Sequence, residues 1–211
     1  VYKRQGTTTI NAGTLQVGNG GTSGNLGTGA VTNNGSLVFN RSDATTVSNN
    51  ISGTGSLVHV GTGITTLTGS NSYTGGTFVQ AGTLKIGTLS SLVQGTLYQV
   101  SSGATLDLNG YALKTGGISG TGHVALGSQG LTVNTAAGAV SEFDGKMDGT
   151  GELIKQGDGT LSLNTANSFS GGVSHKGGNI NLGNEKGLGS GTLSMDDDTK
   201  ITLIANGMTI A

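Results

Sequence analysis

The sequence predicts an all-β fold, a single-stranded parallel β-helix with about ten coils. Three observations carry this prediction: a glycine-rich and proline-free composition, short strand patterns at steps of about twenty residues, and one 35-residue block that occurs twice. Together they are typical of a solenoid in which short strands and tight corners alternate along the chain.

The composition favours strands and turns, and it argues against several classes of partner. The 211 residues include 42 glycines and no proline, and charged residues make up only 10%. A formal net charge of -1 provides no electrostatic attraction for nucleic acid or for an anionic membrane surface. No apolar run is long enough to cross a bilayer as a helix. We therefore expect no nucleic-acid partner and no direct membrane insertion. Without cysteine, disulfides and thiolate zinc sites are excluded.

Apolar residues two positions apart mark one face of a short strand. These pairs recur at steps of 22 residues from Leu15 to Leu37 and from Leu84 to Leu106, and 19 from Leu161 to Ile180. A step of this size fits one coil of a parallel β-helix, in which each coil stacks on the last at about 4.8 Å. The pairs are Leu15/Val17, Leu37/Phe39, Leu84/Ile86, Leu106/Leu108, Val124/Leu126, Leu131/Val133, Leu161/Leu163, Ile180/Leu182, Leu193/Met195 and Ile201/Leu203.

The chain also contains a repeat that is longer than this step. Residues 53–87 align without a gap with residues 149–183, at an offset of 96, and residues 6–18 repeat the end of the same unit. An antiparallel sandwich also has short strands and glycine-rich turns. It would not, however, require the same order of glycines and strand residues in both 35-residue blocks, so we favour the solenoid. In the segments Leu57–Val60 and Leu153–Gln156 apolar and polar residues do not alternate regularly. The sequence therefore leaves open which of their side chains point into the core.

The unit resembles the passenger-associated strand repeat of bacterial autotransporters. That repeat joins Gly-x-Gly, a leucine strand, Gly-x-Gly-x-Leu, Asn-x-Tyr/Phe-x-Gly-Gly and a closing Gly-x-Leu strand. This chain departs from it at Thr65, which replaces the leucine that stands at Leu161, and at Ile180. The matching positions are Gly53, Gly55, Leu57, Asn71, Tyr73, Gly75, Gly76 and Gly82 in the first copy, and Gly149, Gly151, Leu153, Asn167, Phe169, Gly171, Gly172 and Gly178 in the second.

The resemblance implies a right-handed β-helical passenger of the AIDA or pertactin type. Such a passenger is secreted through its own outer-membrane barrel and reaches the bacterial cell surface or the medium. We expect residues 1–211 to form one continuous piece of a passenger, without the signal peptide and the C-terminal barrel. The barrel would be a partner during secretion only.

Candidate catalytic residues are few. His59 and His175 correspond to Lys155 and Val79 in the other copy, so neither belongs to the repeat pattern. His123 is the third histidine of the chain. Ser190 stands between two glycines, but serine beside glycine is the commonest loop sequence in this chain. A serine triad also requires a strained nucleophile turn and an oxyanion hole. We therefore predict no catalytic residue.

The acidic residues form two groups, 196–198 and the looser set Asp144, Asp148, Glu152 and Asp158. Calcium loops place acidic ligands at alternating positions, and neither group has that spacing. We favour solvated turns over calcium sites, and we predict no metal and no cofactor.

Two further side-chain patterns have a structural and a binding interpretation. Tyr73 and Phe169 share a position in the unit, and we favour a core role over an exposed ladder that stacks on carbohydrate. Lys176 and Lys186 lie too far from other bases for a heparin-binding patch.

Two function classes remain. The first is a non-enzymatic adhesin rod, whose partners would be a glycan or protein of the host surface or matrix, or another copy on a neighbouring cell. Repeated weak polar contacts would then supply the affinity. The second is the β-helical stalk, or a folding-nucleus region, of an enzyme passenger such as a serine protease, with the catalytic domain elsewhere.

Overall fold

The computed structural model describes residues 6–207 and 209. Twenty-four short strands and one 3-10 turn follow one another along these residues. They are β1 (Thr8–Ile10), β2 (Thr14–Val17), β3 (Val31–Asn33), β4 (Ser36–Phe39), β5 (Thr45–Val47), β6 (Ile51–Ser52), β7 (Ser56–His59), β8 (Ile64–Leu67), β9 (Thr77–Val79), β10 (Thr83–Ile86), the 3-10 turn (Leu89–Ser91), β11 (Leu97–Val100), β12 (Thr105–Asp107), β13 (Leu113–Thr115), β14 (Gly117–Ser119), β15 (His123–Ala125), β16 (Leu131–Asn134), β17 (Val140–Phe143), β18 (Lys146–Asp148), β19 (Leu153–Gln156), β20 (Thr160–Leu163), β21 (Val173–His175), β22 (Asn179–Leu182), β23 (Leu193–Met195) and β24 (Lys200–Leu203).

Every strand pairing in the described residues is parallel, and each joins a strand to one about twenty residues further along. The predicted step is confirmed in register: Leu15 pairs with Leu37, and Leu84 pairs with Leu106. A parallel partner one coil away is the geometry of a solenoid, whereas a sandwich would pair antiparallel neighbours. The β-solenoid of about ten coils is therefore confirmed.

The strands stack into three long faces. Face 1 runs through β1, β3, β6, β13, β16, β19, β21 and β23, with residues 71–74 and 90–96 filling the coils between β6 and β13. Face 2 runs from β2 through β4, β7, β9, β11 and β14 to β17, β20, β22 and β24. Face 3 contains β5, β8, β10, β12, β15 and β18, and residues 167–170 continue it.

The two copies of the repeat lie on different faces. In the first copy β7 and β8 lie on faces 2 and 3, whereas the corresponding β19 and β20 lie on faces 1 and 2. Corresponding residues nevertheless have nearly the same burial. The unit therefore fixes the path of the chain locally, and the whole unit is rotated by one face between its two occurrences.

The core is one continuous filling of inward aliphatic and aromatic side chains. Leu37 and Leu57 illustrate its construction, because they are in register on neighbouring coils and both are fully buried. Thr65, which replaces the repeat leucine, also points inward and is buried. Two or three such side chains per coil hold the rod together with the backbone ladders.

Two features differ from the sequence expectation. The pair Leu193/Met195 follows the strand pattern, yet these side chains are 36% and 43% exposed. Their strand β23 has a ladder neighbour on one side only, β21, within the described residues. The second difference is the 3-10 turn at Leu89–Ser91, where the side chain of Ser91 donates to the carbonyl of Thr88.

Candidate functional site

The asparagines of the repeat bridge three coils. The backbone N–H of Ile51 donates to Oδ1 of Asn71 at 3.1 Å, and Nδ2 of Asn71 donates to the carbonyl of Ser91 at 3.0 Å. Asn167 makes the equivalent pair of bonds, from Met147 N and to Gly187 O, both at 2.7 Å. Each amide replaces backbone ladder bonds at a corner that is not a strand, which gives the repeat asparagine a structural role.

The repeat aromatics fill the corners of the core. Tyr73 and Phe169 are 1% and 0% exposed. The hydroxyl of Tyr73 lies 2.8 Å from that of Thr77, and burial raises the pKa of Tyr73. In the second copy Phe169 replaces Tyr73 and Val173 replaces Thr77. Both hydroxyls of the pair are therefore absent from that copy. These rings are therefore unavailable for stacking on a carbohydrate.

The repeat positions require glycine for one of two reasons, a positive φ or close contact with the backbone of a neighbouring coil. Some adopt a positive φ that favours glycine, such as Gly53 at 107° and its counterpart Gly149 at 114°. Others lie against the previous coil: a Cβ on Gly55 would overlap the carbonyl of Gly35. The remaining positions in these two groups are Gly75, Gly76, Gly82, Gly151, Gly171, Gly172 and Gly178.

Two polar residues that the repeat does not specify prove to point inward. His59 and Lys155 follow Leu57 and Leu153 at strand spacing, and all four are fully buried. The alternation in these two strands is therefore regular, and a polar residue occupies an inward position in each copy. The sequence pattern that could have predicted these inward positions is the spacing of two residues from the preceding leucine.

His59 makes one hydrogen bond inside the core. Its Nε2 lies 3.3 Å from the carbonyl of Gly63, while its buried Nδ1 has no partner in the described part of the chain. Burial lowers the pKa of His59 because a charged imidazolium would be desolvated there. A buried neutral imidazole of this kind cannot serve as a general base toward an external substrate.

Lys155 is the most unusual core residue. Its Nζ donates to the carbonyls of Gln156, Gly157 and Gly177 at 2.8, 2.7 and 3.0 Å. Gly177 belongs to the next coil, so the ammonium ties two coils together. Burial lowers the pKa of Lys155 to about 8, against the opposing charge of Asp158.

The serine and histidine residues that were weighed as catalytic candidates and not favoured do not converge in the structure. Ser190 is exposed at a corner and His175 is fully buried. His123 instead forms a half-exposed pair with Asp148, with 2.9 Å between Nε2 and the carboxylate. The geometry assembles no nucleophile, base and orienting acid from these residues.

The acidic residues are engaged singly. Asp144 accepts from Asn164 Nδ2 at 2.7 Å, and Glu152 accepts from the hydroxyl of Ser174. Asp198 lies in a turn with a φ of 64°. Among residues 6–207 and 209, no three His, Asp or Glu side chains converge on a point that could hold a metal ion.

The outward surface differs from face to face. Face 3 carries the charged pairs Lys85–Asp107, at 3.3 Å, and His123–Asp148. Face 2 carries the two most exposed large apolar side chains of the described residues, Leu97 at 63% and Val140 at 65%. The sequence patterns did not single out these two residues, because an isolated outward Leu or Val is not itself a signal.

Comparison with known proteins agrees with the repeat. The family model described as passenger-associated-transport-repeat matches residues 5–17, 57–86 and 153–174. These coils are part of an autotransporter passenger domain.

The passenger segment is also similar to a curated relative, the adhesin BmaC autotransporter of Brucella suis biovar 1 (strain 1330). The two are 37% identical over 158 residues, which cover 72% of this chain and 4% of the relative. The chain thus spans a small fraction of the length of that protein. No solved structure matches the passenger segment.

As an autotransporter passenger, the segment belongs to the extracellular surface of a bacterium. Within the part of the passenger that the structure describes, no helix is long and apolar enough to cross a membrane.

Proposed function

We propose that this passenger segment is a non-enzymatic part of an adhesin, a rod whose outward faces contact a host-surface or matrix protein or glycan, or another cell. The observation that carries the proposal is the 37% identity to a segment of a protein named as an adhesin, over 72% of the chain. The coil geometry supports it, because the buried repeat residues leave the outward Thr, Ser, Asn and Gln positions free to vary.

The arrangement of the outward side chains fits binding by many weak contacts. Each coil presents one or two outward residues per face, repeated every coil spacing of about 4.8 Å along the rod. A partner that lies along several coils would collect these contacts, and its avidity would exceed that of any one of them.

Binding of the purified chain to cells tests this proposal. Beads coated with the folded chain should adhere to cultured host cells or to matrix-coated surfaces more than beads coated with the heat-unfolded chain. Replacement of outward residues on face 1, Thr132→Lys with Ser174→Lys, should reduce adhesion if that face binds, and the same changes on face 3 at Thr83 and Thr105 provide the matched comparison. Equal adhesion of folded and unfolded chains would reject the adhesin proposal.

The second candidate is a stalk or folding nucleus of a longer passenger. The three-coil bridges of Asn71 and Asn167 favour it, since they stabilise the rod without involving its surface. In this case coated beads would not adhere, and limited proteolysis would leave a protected core at one end of the rod. Passage through the passenger's own barrel would then depend on that core.

A further inference from the structure

Two ionisable side chains are stacked on each other inside the rod. Strands β19 and β21 pair in parallel register, which places Lys155 beside His175 on the next coil. Both side chains point inward and are fully buried. The same column continues with Val133 on one side and Met195 on the other. Two groups that can each carry a positive charge therefore lie one coil apart, at a ladder spacing of about 4.8 Å.

The hydrogen bonds of the pair suit one cation and one neutral ring. The Lys155 ammonium donates to three backbone carbonyls, of which that of Gly177 belongs to the coil of His175. Nε2 of His175 lies 3.1 Å from the carbonyl of Gly178, a contact that a neutral ring satisfies with its single N–H. Its Nδ1 is buried and has no partner in the described part of the chain. Protonation would place a second N–H donor there without an acceptor.

Few other charges face this pair. The charge of Asp158 favours the ammonium of Lys155, and the charge of Asp196 favours an imidazolium at His175. Asp196 is exposed, so water and salt screen it, and Lys176 also lies on the outer surface. The strands that pack beside and across from the pair, β16, β20, β22 and β23, contain no charged residue.

Protonation of His175 therefore works against the closed coil. Burial lowers the pKa of His175, the charge of Lys155 lowers it further, and the carbonyls of residues 177 and 178 and the charge of Asp196 oppose this effect. An opened coil, with the ring in water, takes up the proton first as the pH falls below 6.5. Stability of the closed coil is then lost between this value and the lowered pKa. Lys155 stays charged over that range, because its pKa is about 8.

His59 provides an internal comparison. It is also an inward, fully buried histidine whose Nδ1 has no partner within the described residues. Its neighbours in the column are Phe39 and Val79, so protonation there costs desolvation without repulsion from an adjacent cation. The chain thus contains one buried histidine beside a charge and one beside apolar side chains.

We propose that the stacked pair Lys155 and His175 makes one coil of the rod acid-sensitive: protonation of His175 beside the ammonium opens the coil of residues 173–195, while the coils around His59 stay wound. Opening breaks the bond from Lys155 to the carbonyl of Gly177 and lets the imidazolium reach water. It also separates β21 from β19, so a rod that is continuous at neutral pH acquires a hinge in acid. The adhesin proposal is not needed for this behaviour, and either proposal can fail without the other.

Hydrogen exchange of the purified chain, followed by mass spectrometry at about pH 7.5 and about pH 5, tests the proposal. After correction for the intrinsic pH dependence of exchange, the ratio of protection at the two pH values is compared between segments. In the wild type, protection over residues 173–195 should fall about tenfold or more on acidification. The fall over residues 57–79, around His59, should be smaller. Equal falls in the two segments would overturn the proposal.

Three variants assign the effect to the pair. His175→Val, which introduces the residue of the corresponding position Val79, should abolish the fall over residues 173–195. Lys155→Met should reduce it, because removal of the adjacent charge brings the pKa of His175 closer to 6.5. Lys176→Met, which removes an exposed charge, is the matched control and should keep the wild-type fall. A general loss of stability in any variant cancels, since each ratio is taken within one protein. A full response in His175→Val would contradict the proposed switch.

Nuclear magnetic resonance provides a second measurement that does not depend on opening. The ring protons of His175 should titrate below pH 6.5 in the wild type and at a higher pH in Lys155→Met. Identical titration in the two proteins would show that the Lys155 charge does not act on this ring, and it would also overturn the proposal. Circular dichroism at about pH 7.5 establishes that each variant is folded.

Discussion

Lys155 and His175 pair in register on neighbouring coils of face 1, and both side chains point into the core. The Lys155 ammonium donates to the carbonyl of Gly177 at 3.0 Å, and Nε2 of His175 lies 3.1 Å from the carbonyl of Gly178. The rod thus contains two adjacent titratable groups where its neighbours in the same column contain aliphatic side chains such as Val133. Burial lowers the pKa of His175, and the charge of Lys155 lowers it further.

Substitution of Lys155 by methionine should change how stability depends on alkaline pH. The pKa of this lysine is about 8 in the folded chain and 10.5 as the ordinary value, so the unfolded state binds the proton more tightly. The free energy of unfolding of the wild type should therefore rise as pH increases from about 8 to about 10.5. Lys155→Met lacks this contribution, and urea denaturation at each pH measures the difference.

The matched control is Lys176→Met, because Lys176 is exposed. This variant should keep the alkaline pH dependence of the wild type. If Lys155→Met also kept it, the ammonium would not be desolvated in the folded rod.

Replacement of His59 by leucine should reduce the loss of stability in acid. Burial lowers the pKa of His59 below 6.5, so the unfolded state takes up a proton first as the pH falls through this value. The wild type should lose stability from pH 6.5 downward, until the folded-state pKa is passed. His59→Leu should show a shallower decline, measured by urea denaturation between pH 7.5 and pH 4.5 in steps of about half a unit. Parallel curves for the two proteins below pH 6.5 would contradict this expectation.

The residues Tyr73 and Thr77 should be energetically coupled. Each single change, Tyr73→Phe or Thr77→Val, leaves one buried hydroxyl without the partner it has at 2.8 Å. Each should lower the free energy of unfolding by about 1 kcal/mol. The double variant recreates the pair Phe169 and Val173 of the second copy, and it should cost less than the sum of the single changes.

The reciprocal substitution provides the control for this cycle. Phe169→Tyr should destabilise the second copy, and Val173→Thr should restore part of the loss. Additive effects in both copies would show that the two hydroxyls do not interact.

Removal of the Asn71 amide should loosen three coils at once. Asn71→Ala leaves Ile51 N without its acceptor and Ser91 O without its donor, and both bonds lie in buried surroundings. The free energy of unfolding should fall by about 2–4 kcal/mol. Asn134→Ala, at an exposed position, should change it by less than about 0.5 kcal/mol. Hydrogen exchange would locate the effect: protection should fall around residues 51, 71 and 91.

The fold could be predicted from sequence because its rule is local. Leu57 and Leu84 point inward for the same reason as their counterparts Leu153 and Ile180, namely spacing of two within a strand and about twenty between coils. That rule applies to apolar residues only. It therefore did not decide whether the side chains of His59 and Lys155 point inward or outward.

The irregular part of face 2 could not be predicted in the same way. There the Ser141 hydroxyl bonds to the backbone of Ile118 on the previous coil and replaces ladder bonds. Neither residue belongs to the repeat, and their 23-residue separation matches no repeated motif. Proximity that arises from an irregularity between coils is a tertiary property.

The displacement of the repeat by one face links the number of units to the direction in which the rod points its surfaces. Recombination between the two similar blocks would remove 96 residues, shorten the rod, and join the remaining coils with a twist of about a third of a circle. Everything beyond the junction would then present a different side to its surroundings. Bacteria that vary the number of such blocks would change, in a single step, both the length of the rod and the direction in which the faces beyond the junction point.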